Sequence, residues 1–374
     1  MKKLGFGLMR LPLENVDDAG SIQIDTLCRM ADYFIANGFT YFDTAYMYHN
    51  GASEKAVKAA LIDRHERSEF TIASKLPTML LKGKEDLNRI FYEQLSRTGA
   101  GFFDYYLLHA LDKKNYETAV RLNCFDFVAD LKRRGFVKKV GFSFHDSAKM
   151  LDKILSEHPE MEFVQLQINY LDWEDENVQS RLCYETAVKH GKPVIVMEPV
   201  KGGRLADLSP EILTMFKSVH PDWSAASWAI RFAASLPQVF MVLSGMSNPE
   251  QVNDNVSFMK DFTPLSDQDM SFVKRAAAML RGNISIPCTA CRYCTEGCPK
   301  HIAIPEYFAL YNECKDNESV KDETKSYLEL KNRGYGKASD CIGCRKCEKS
   351  CPQHLPITSY LKKVAMRFER RKLT

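Results

Sequence analysis

The chain has 374 residues, 45% of them hydrophobic, and a formal net charge of +3. That length holds a sizeable core and more than one average domain, and so balanced a charge gives no electrostatic ground for a nucleic-acid or anionic-membrane partner. No apolar run approaches the roughly 20 residues of a membrane-crossing helix, and Arg10 interrupts the short apolar stretch near the start with no small-residue cleavage site after it, so the N-terminus reads as mature protein.

From Leu4 to about Met279, short apolar runs alternate with longer segments at helical spacing. The runs are Gly5–Arg10, Thr40–Asp43, Phe70–Lys75, Phe103–His109, Val137–Ser143, Phe163–Gln167, Pro193–Met197 and Val239–Ser244. Between them, Ile24–Asn37, Ser53–Arg64, Glu85–Thr98, Tyr116–Arg134, Ser147–His158, Glu176–His190 and Ser224–Ala234 read as helices. Eight such runs alternating with helices over roughly 250 residues predict an α/β chain folded as a (β/α)8 TIM barrel. The rival is an open doubly wound sheet, but no Gly-x-Gly-x-x-Gly follows the first run. A composition change at Arg281-Gly282-Asn283 divides a barrel at 1–280 from a second, mainly helical domain at 281–374.

Several runs end in a polar residue: Asp43, Lys75, His109, Ser143, Gln167 and Ser244. Parallel strands share one direction, so these ends are expected to ring one mouth, where barrels place their chemistry. Tyr48 follows Asp43 by about one loop. A carbonyl reduced by hydride needs a proton on its developing alkoxide. A phenol with an ordinary pKa near 10 is a poor acid at neutral pH, and an ammonium beside it favours the phenolate. A carboxylate holds that ammonium, and a histidine orients the carbonyl oxygen. Asp43, Tyr48, Lys75 and His109 supply these four groups.

Phe42-Asp43-Thr44-Ala45-Tyr46-Met47-Tyr48, Ile72-Ala73-Ser74-Lys75 and Asp104-Tyr105-Tyr106-Leu107-Leu108-His109 resemble the motifs of the aldo/keto reductase family over about residues 1–280. The resemblance implies a nicotinamide-dependent enzyme acting on a small carbonyl or alcohol, with Tyr48 as general acid, Lys75 and Asp43 tuning it, and His109 at the substrate oxygen. It places Ser143 and Gln167 at the nicotinamide amide, and Asp254 and Asn255 at the adenine, in the segment that begins at Ser244. Met197 stands where family members stack a tyrosine on the nicotinamide. Gly245 and Gln251 stand where they clamp a 2′-phosphate with cations, which leaves NADP(H) and NAD(H) both open. Lys201 and Arg204, in a glycine-rich loop, read either as pyrophosphate contacts or as solvated charges.

Eight of the twelve cysteines fall in two runs, Cys288-x2-Cys291-x2-Cys294-x3-Cys298-Pro299 and Cys341-x2-Cys344-x2-Cys347-x3-Cys351-Pro352. Soft thiolates at this spacing hold 4Fe-4S clusters in the bacterial ferredoxin manner, with the fourth cysteine of each run serving the other cluster. A tetrahedral zinc site usually takes two Cys-x2-Cys pairs instead. The scattered Cys28, Cys124, Cys183 and Cys314 read as inert thiols. Clustered rather than framework cysteines point to a reducing compartment, the cytoplasm. The basic end, Arg367 to Lys372, reads as a solvated helix end. The expected activity is hydride transfer, with the clusters structural, electron-carrying or docking a redox partner protein. Two alternatives stand beside it: an electron-transfer protein joining nicotinamide to the clusters, and a redox-responsive nicotinamide-binding module without turnover.

Overall fold

A computed structural model describes residues 2–283, 285–295, 297–313 and 319–369. Cys314 and the basic residues Arg370, Arg371 and Lys372 lie outside them. The chain forms two compact units, Met1–Val200 with Leu205–Arg275, and Lys201–Arg204 with Ala276–Thr374.

The first unit is a closed barrel of eight parallel strands in sequential order. The strands are β1 (Leu4–Gly7), β2 (Tyr41–Asp43), β3 (Thr71–Leu76), β4 (Phe103–Leu111), β5 (Val137–Phe144), β6 (Phe163–Gln167), β7 (Val194–Met197) and β8 (Val239–Gly245). Each lies within a few residues of an apolar run, because a strand buried on both faces reads as one. The helices depart more. The segment Tyr116–Arg134 is two helices, Lys113–Arg121 and Cys124–Arg133, with Asn123 between them at φ 60°. Asparagine enters that left-handed region more readily than most residues, so it breaks an otherwise continuous apolar stripe. The helix expected from Glu176 begins at Ser180, because Asp175 Oδ1 first accepts the N–H groups of Asn177 and Val178 in a local turn. A helix at Asp267–Asn283 runs through the composition change at residue 281.

Side chains alternate along each strand, and the alternation sorts the barrel into layers. Tyr41, Ala73, Leu107, Phe163, Ile195, Met241 and Leu243 pack together as an apolar plug. Two residues further along their strands come Asp43, Lys75, His109, Gln165 and Met197. Ser244 has the other parity. Its hydroxyl accepts from Asn255 Nδ2 at 2.8 Å, on the helix Pro249–Met259. The expected polar ring therefore lacks Ser244, because one residue of offset moves a strand side chain to the opposite face.

Cys124 and Cys183 are buried, which pushes each thiol up to about 12, and burial also raises the half-buried Cys28.

In the second unit, helices Ile304–Glu313, Ser319–Asn332 and Ile357–Phe368 enclose a small core. Tyr307 and Tyr327 stack at 4.4 Å, with Phe368 against Tyr327.

Gly141 on β5 is buried where an added Cβ would lie 2.4 Å from the carbonyl oxygen of Phe163 and 2.8 Å from its ring. Gly141→Ala is expected to destabilise the barrel by about 1–3 kcal/mol through overpacking. A thermal unfolding scan should show the barrel's Tm lowered by several degrees; an unchanged Tm would mean the plug yields without strain.

Candidate active site and metal centre

At the mouth of the barrel Lys75 is 1% exposed. Its ammonium donates to Asp43 Oδ1 at 2.5 Å, to the Thr44 carbonyl at 2.8 Å and to the Tyr48 hydroxyl at 3.3 Å. Asp43 Oδ2 accepts from Gln165 Nε2 at 3.4 Å. Burial pushes the Asp43 carboxyl up and the Lys75 ammonium down, and each is opposed by the other's charge. Tyr48 begins the turn after β2, and its ring meets that of His109 edge-on at 6.0 Å. Burial holds the phenol well above its ordinary range, with the Asp43 and Glu198 carboxylates adding to it. The sequence argument put the Lys75 ammonium first; in the folded chain desolvation dominates. The phenol is therefore protonated at neutral pH, which is the state a proton donor requires.

His109 is turned by backbone as much as by packing. Ala110 behind it sits at φ 52° and donates its N–H to Ser143 Oγ at 2.7 Å. Thr78 Oγ1 donates to the His109 carbonyl at 2.6 Å. Burial, with the charges of Lys75 and His145, holds the imidazole well below its usual range, so it is neutral. Its Nδ1 is buried with no hydrogen-bond partner among the described residues. An orphaned ring nitrogen beside a buried phenol fits a polar ligand atom.

Sequence reasoning missed the support behind Lys75. Ser74 points the opposite way along β3 and donates to Glu54 Oε1 at 2.8 Å. Gln94 Nε2 reaches Glu54 at 2.6 Å, Ser74 at 2.8 Å and the Lys75 carbonyl at 3.1 Å, while Gln94 Oε1 accepts from Tyr106 at 2.7 Å. Glu54 is wholly buried and paired with Arg97 at 3.5 Å. The only local signal was polar residues inside apolar helical patterns.

The residues assigned to a nicotinamide cofactor are dispersed. Ser143 is one residue from the end of β5, Gln167 and Met197 end β6 and β7, and Gln167 Nε2 donates to Asp172 at 2.9 Å. Ser244 and Asn255 bond each other; Asp254 accepts from Ser224 Oγ at 2.7 Å, and Gln251 Oε1 accepts the Ser247 N–H at 2.7 Å. Gly245 is overlain by Arg10, whose Cδ would lie 3.2 Å from an added Cβ. Arg10 also approaches Glu198 at 3.9 Å. Lys201 and Arg204 fall in the second unit. There Gly202, at φ 67°, lies so close to the Thr289 carbonyl that a Cβ would come within 2.1 Å, and Arg204 is desolvated beside Cys288.

The two cysteine runs repeat a backbone conformation. Ala290, Arg292 and His301 in the first, and Gly343, Arg345 and His354 in the second, are all left-handed at matching positions. Such turns aim amide N–H groups inward, as where Ala290 N donates to Cys288 Sγ at 3.4 Å. The thiols line two small cavities. Cys288, Cys291, Cys294 and Cys351 line the first; Cys298, Cys341, Cys344 and Cys347 line the second. Burial raises the Cys288, Cys294 and Cys351 thiols and pushes Cys347 up to about 11, with neighbouring thiols adding to the effect at Cys294 and Cys347. Thiols gathered four to a cavity fit a group whose own positive charge holds them as thiolates.

Residues 3–278 match the model of the aldo/keto reductase family, and residues 287–356 match that of the 4Fe-4S dicluster domain. Among solved structures, an aldo-keto reductase of Bacillus halodurans in its holo form aligns with 22% identity and a TM-score of 0.59, over 73% of this chain and 91% of that one. An aldo/keto reductase of Klebsiella pneumoniae, in complex with NADP and acetate, aligns with 20% identity and a TM-score of 0.58, over 73% of this chain and 90% of that one. At these identities the likeness is one of fold. Acetyl-CoA decarbonylase/synthase complex subunit alpha 1 of Methanosarcina barkeri is 29% identical over 85 residues, which are 23% of this chain and 9% of that protein. This chain thus spans less than a tenth of that relative's length.

The lining of the two cavities sets an expectation for Cys298→Ser. It should deplete the cluster facing Cys341, Cys344 and Cys347 while the other keeps four thiols. Anaerobic iron and sulfide analysis with spectra resolving the clusters checks this, and loss of the cluster facing Cys288, Cys291 and Cys294 would contradict it.

Proposed function

Because the chain belongs to the aldo/keto reductase family of oxidoreductases, we propose that its barrel passes a hydride between a nicotinamide cofactor and a small carbonyl or alcohol. What supports this most is the Lys75 ammonium, which touches both the Asp43 carboxylate and the Tyr48 hydroxyl in a buried mouth beside the unpartnered Nδ1 of His109. When bound, the nicotinamide supplies or takes the hydride. Ser143, Gln167 and Met197 would hold its ring, and Ser244, Asp254 and Asn255 its adenosine end. In reduction Tyr48 gives its proton to the carbonyl oxygen as the carbon gains the hydride, so one C–H and one O–H bond replace the carbonyl π bond. Lys75 stabilises the phenolate left behind, and Asp43 keeps Lys75 charged in a site that disfavours an isolated ammonium. Neutral His109 orients the carbonyl oxygen. In the second unit, Cys288, Cys291, Cys294 and Cys351 hold one 4Fe-4S cluster and Cys298, Cys341, Cys344 and Cys347 the other.

The cofactor's phosphate is assigned to Arg10. No cation stands at Gly245 or Gln251, but the absence of a side chain at Gly245 leaves room for the Arg10 stem, and a guanidinium suits a phosphate. The Klebsiella complex with NADP is in keeping with NADP(H); NAD(H) is the second reading.

Tyr48→Phe removes one hydroxyl and keeps the shape. It is expected to lower turnover by a factor of about 10²–10⁴ while nicotinamide binding persists; turnover within a few-fold of the parent on a substrate the parent reduces would remove Tyr48 from the role. Arg10→Ala is expected to weaken NADPH binding about tenfold more than NADH binding, a difference of about 1.4 kcal/mol. Matched titrations decide it, and equal losses for the two cofactors would take the phosphate away from Arg10.

A further inference from the structure

We propose that the surface around the Cys298, Cys341, Cys344 and Cys347 cavity docks an acidic one-electron carrier protein. This rests on the reading that the cavity holds a 4Fe-4S cluster.

The two cavities differ in access. Thr289, Phe308, Gln353 and Leu355, all buried, close over the first, and none of its thiols is exposed. In the second, Cys344 is exposed and Ile342, in the same ligand loop, is 62% exposed. Electron transfer weakens steeply with distance, so a partner gains most by covering the exposed thiol. An apolar side chain left in water at that point is what the centre of a protein interface covers.

Charge decides the kind of partner. Arg345, Lys346, Lys349 and Lys362 are exposed around the loop. The carboxylates among them, Asp340 exposed and Glu348 and Glu369 half-buried, are engaged in local hydrogen bonds. Glu348 Oε1 accepts the Thr358 N–H at 2.9 Å and its hydroxyl at 2.6 Å, Asp340 Oδ2 accepts the Lys337 N–H at 2.8 Å, and Glu369 Oε1 accepts from Tyr327 at 2.5 Å and the Ser339 N–H at 3.0 Å. Lys346, Lys349 and Lys362 pair with no carboxylate among the described residues, and Arg345 reaches Glu348 only at 3.7 Å. The rim is therefore positive, with its carboxylates engaged in hydrogen bonds. Electron-transfer encounters are small and brief, and charge steering sets their rate. The apolar centre favours a folded acidic protein over a nucleic acid, whose phosphates need no such centre. The carrier and a cluster exchange one electron: one is oxidised by one unit, the other reduced by one, and no bond or proton moves.

The test uses the full chain, purified anaerobically, with iron and acid-labile sulfide measured first. Their absence would sink the cluster reading itself. With the clusters loaded and photochemically reduced, their oxidation is timed by stopped flow with cytochrome c in two forms, native and basic or succinylated and acidic; each haem takes one electron. The acidic form is expected to react at least about tenfold faster at low ionic strength, with the advantage vanishing at high salt. Lys346→Glu with Lys349→Glu should cancel or reverse it. Should that pair lower the iron content, Lys362→Glu on the helix Ile357–Phe368 carries the same test. Equal rates for the two forms, an advantage untouched by charge reversal, or double-stranded DNA outcompeting the acidic form would each overturn the proposal.

Discussion

The barrel's mouth depends on one buried charge. Lys75 is sealed from water, and an ammonium in that position persists only if its charge is met on several sides. Asp43, the Thr44 carbonyl and Tyr48 meet it inside the barrel, while Gln94 holds its backbone from outside. Leaving one member of such a pair buried alone costs about 3–5 kcal/mol, so these residues constrain one another. The same desolvation keeps the Tyr48 phenol protonated and the His109 imidazole neutral. A site that excludes water thus sets the protonation state of each group before any ligand arrives.

That exclusion is built by strand parity. The apolar plug from Tyr41 to Leu243 fills the barrel below, and the next inward layer is polar. Against the opposite face of β3 packs a second buried carboxylate, Glu54 of the helix Ala52–Val57, with Ser74, Gln94 and Arg97 around it. One short strand therefore presents Lys75 to the mouth and Ser74 to the helices, each with its own network.

The second unit solves a different problem with less material. It has a modest aromatic core and two thiol-lined cavities. The repeated left-handed residues show one loop design used twice, and Cys298 and Cys351 each line the cavity of the other run. Exchange of those two thiols ties the runs to each other. The surroundings of the two cavities then differ, one closed by buried side chains and one left open beside a positive rim.

Much of this was legible in the chain itself, where the signal is local. Apolar runs of four to seven residues mark buried strands, cysteine spacing marks the ligand loops, and Asp43, Lys75 and His109 stand at strand ends. Tertiary structure alone decided the rest. The break at Asn123 depends on one residue's tolerance of a left-handed backbone inside a continuous stripe. The outward turn of Ser244 follows from register, which slips to the opposite face with an offset of one. Arg10 and Gly245 meet though they lie at opposite ends of the barrel sequence, and Glu54 reaches Gln94 across 40 residues. Periodicity reports which side of an element is buried. It carries no record of which distant side chain is buried against it, because that choice is made by shape and charge only once the barrel closes.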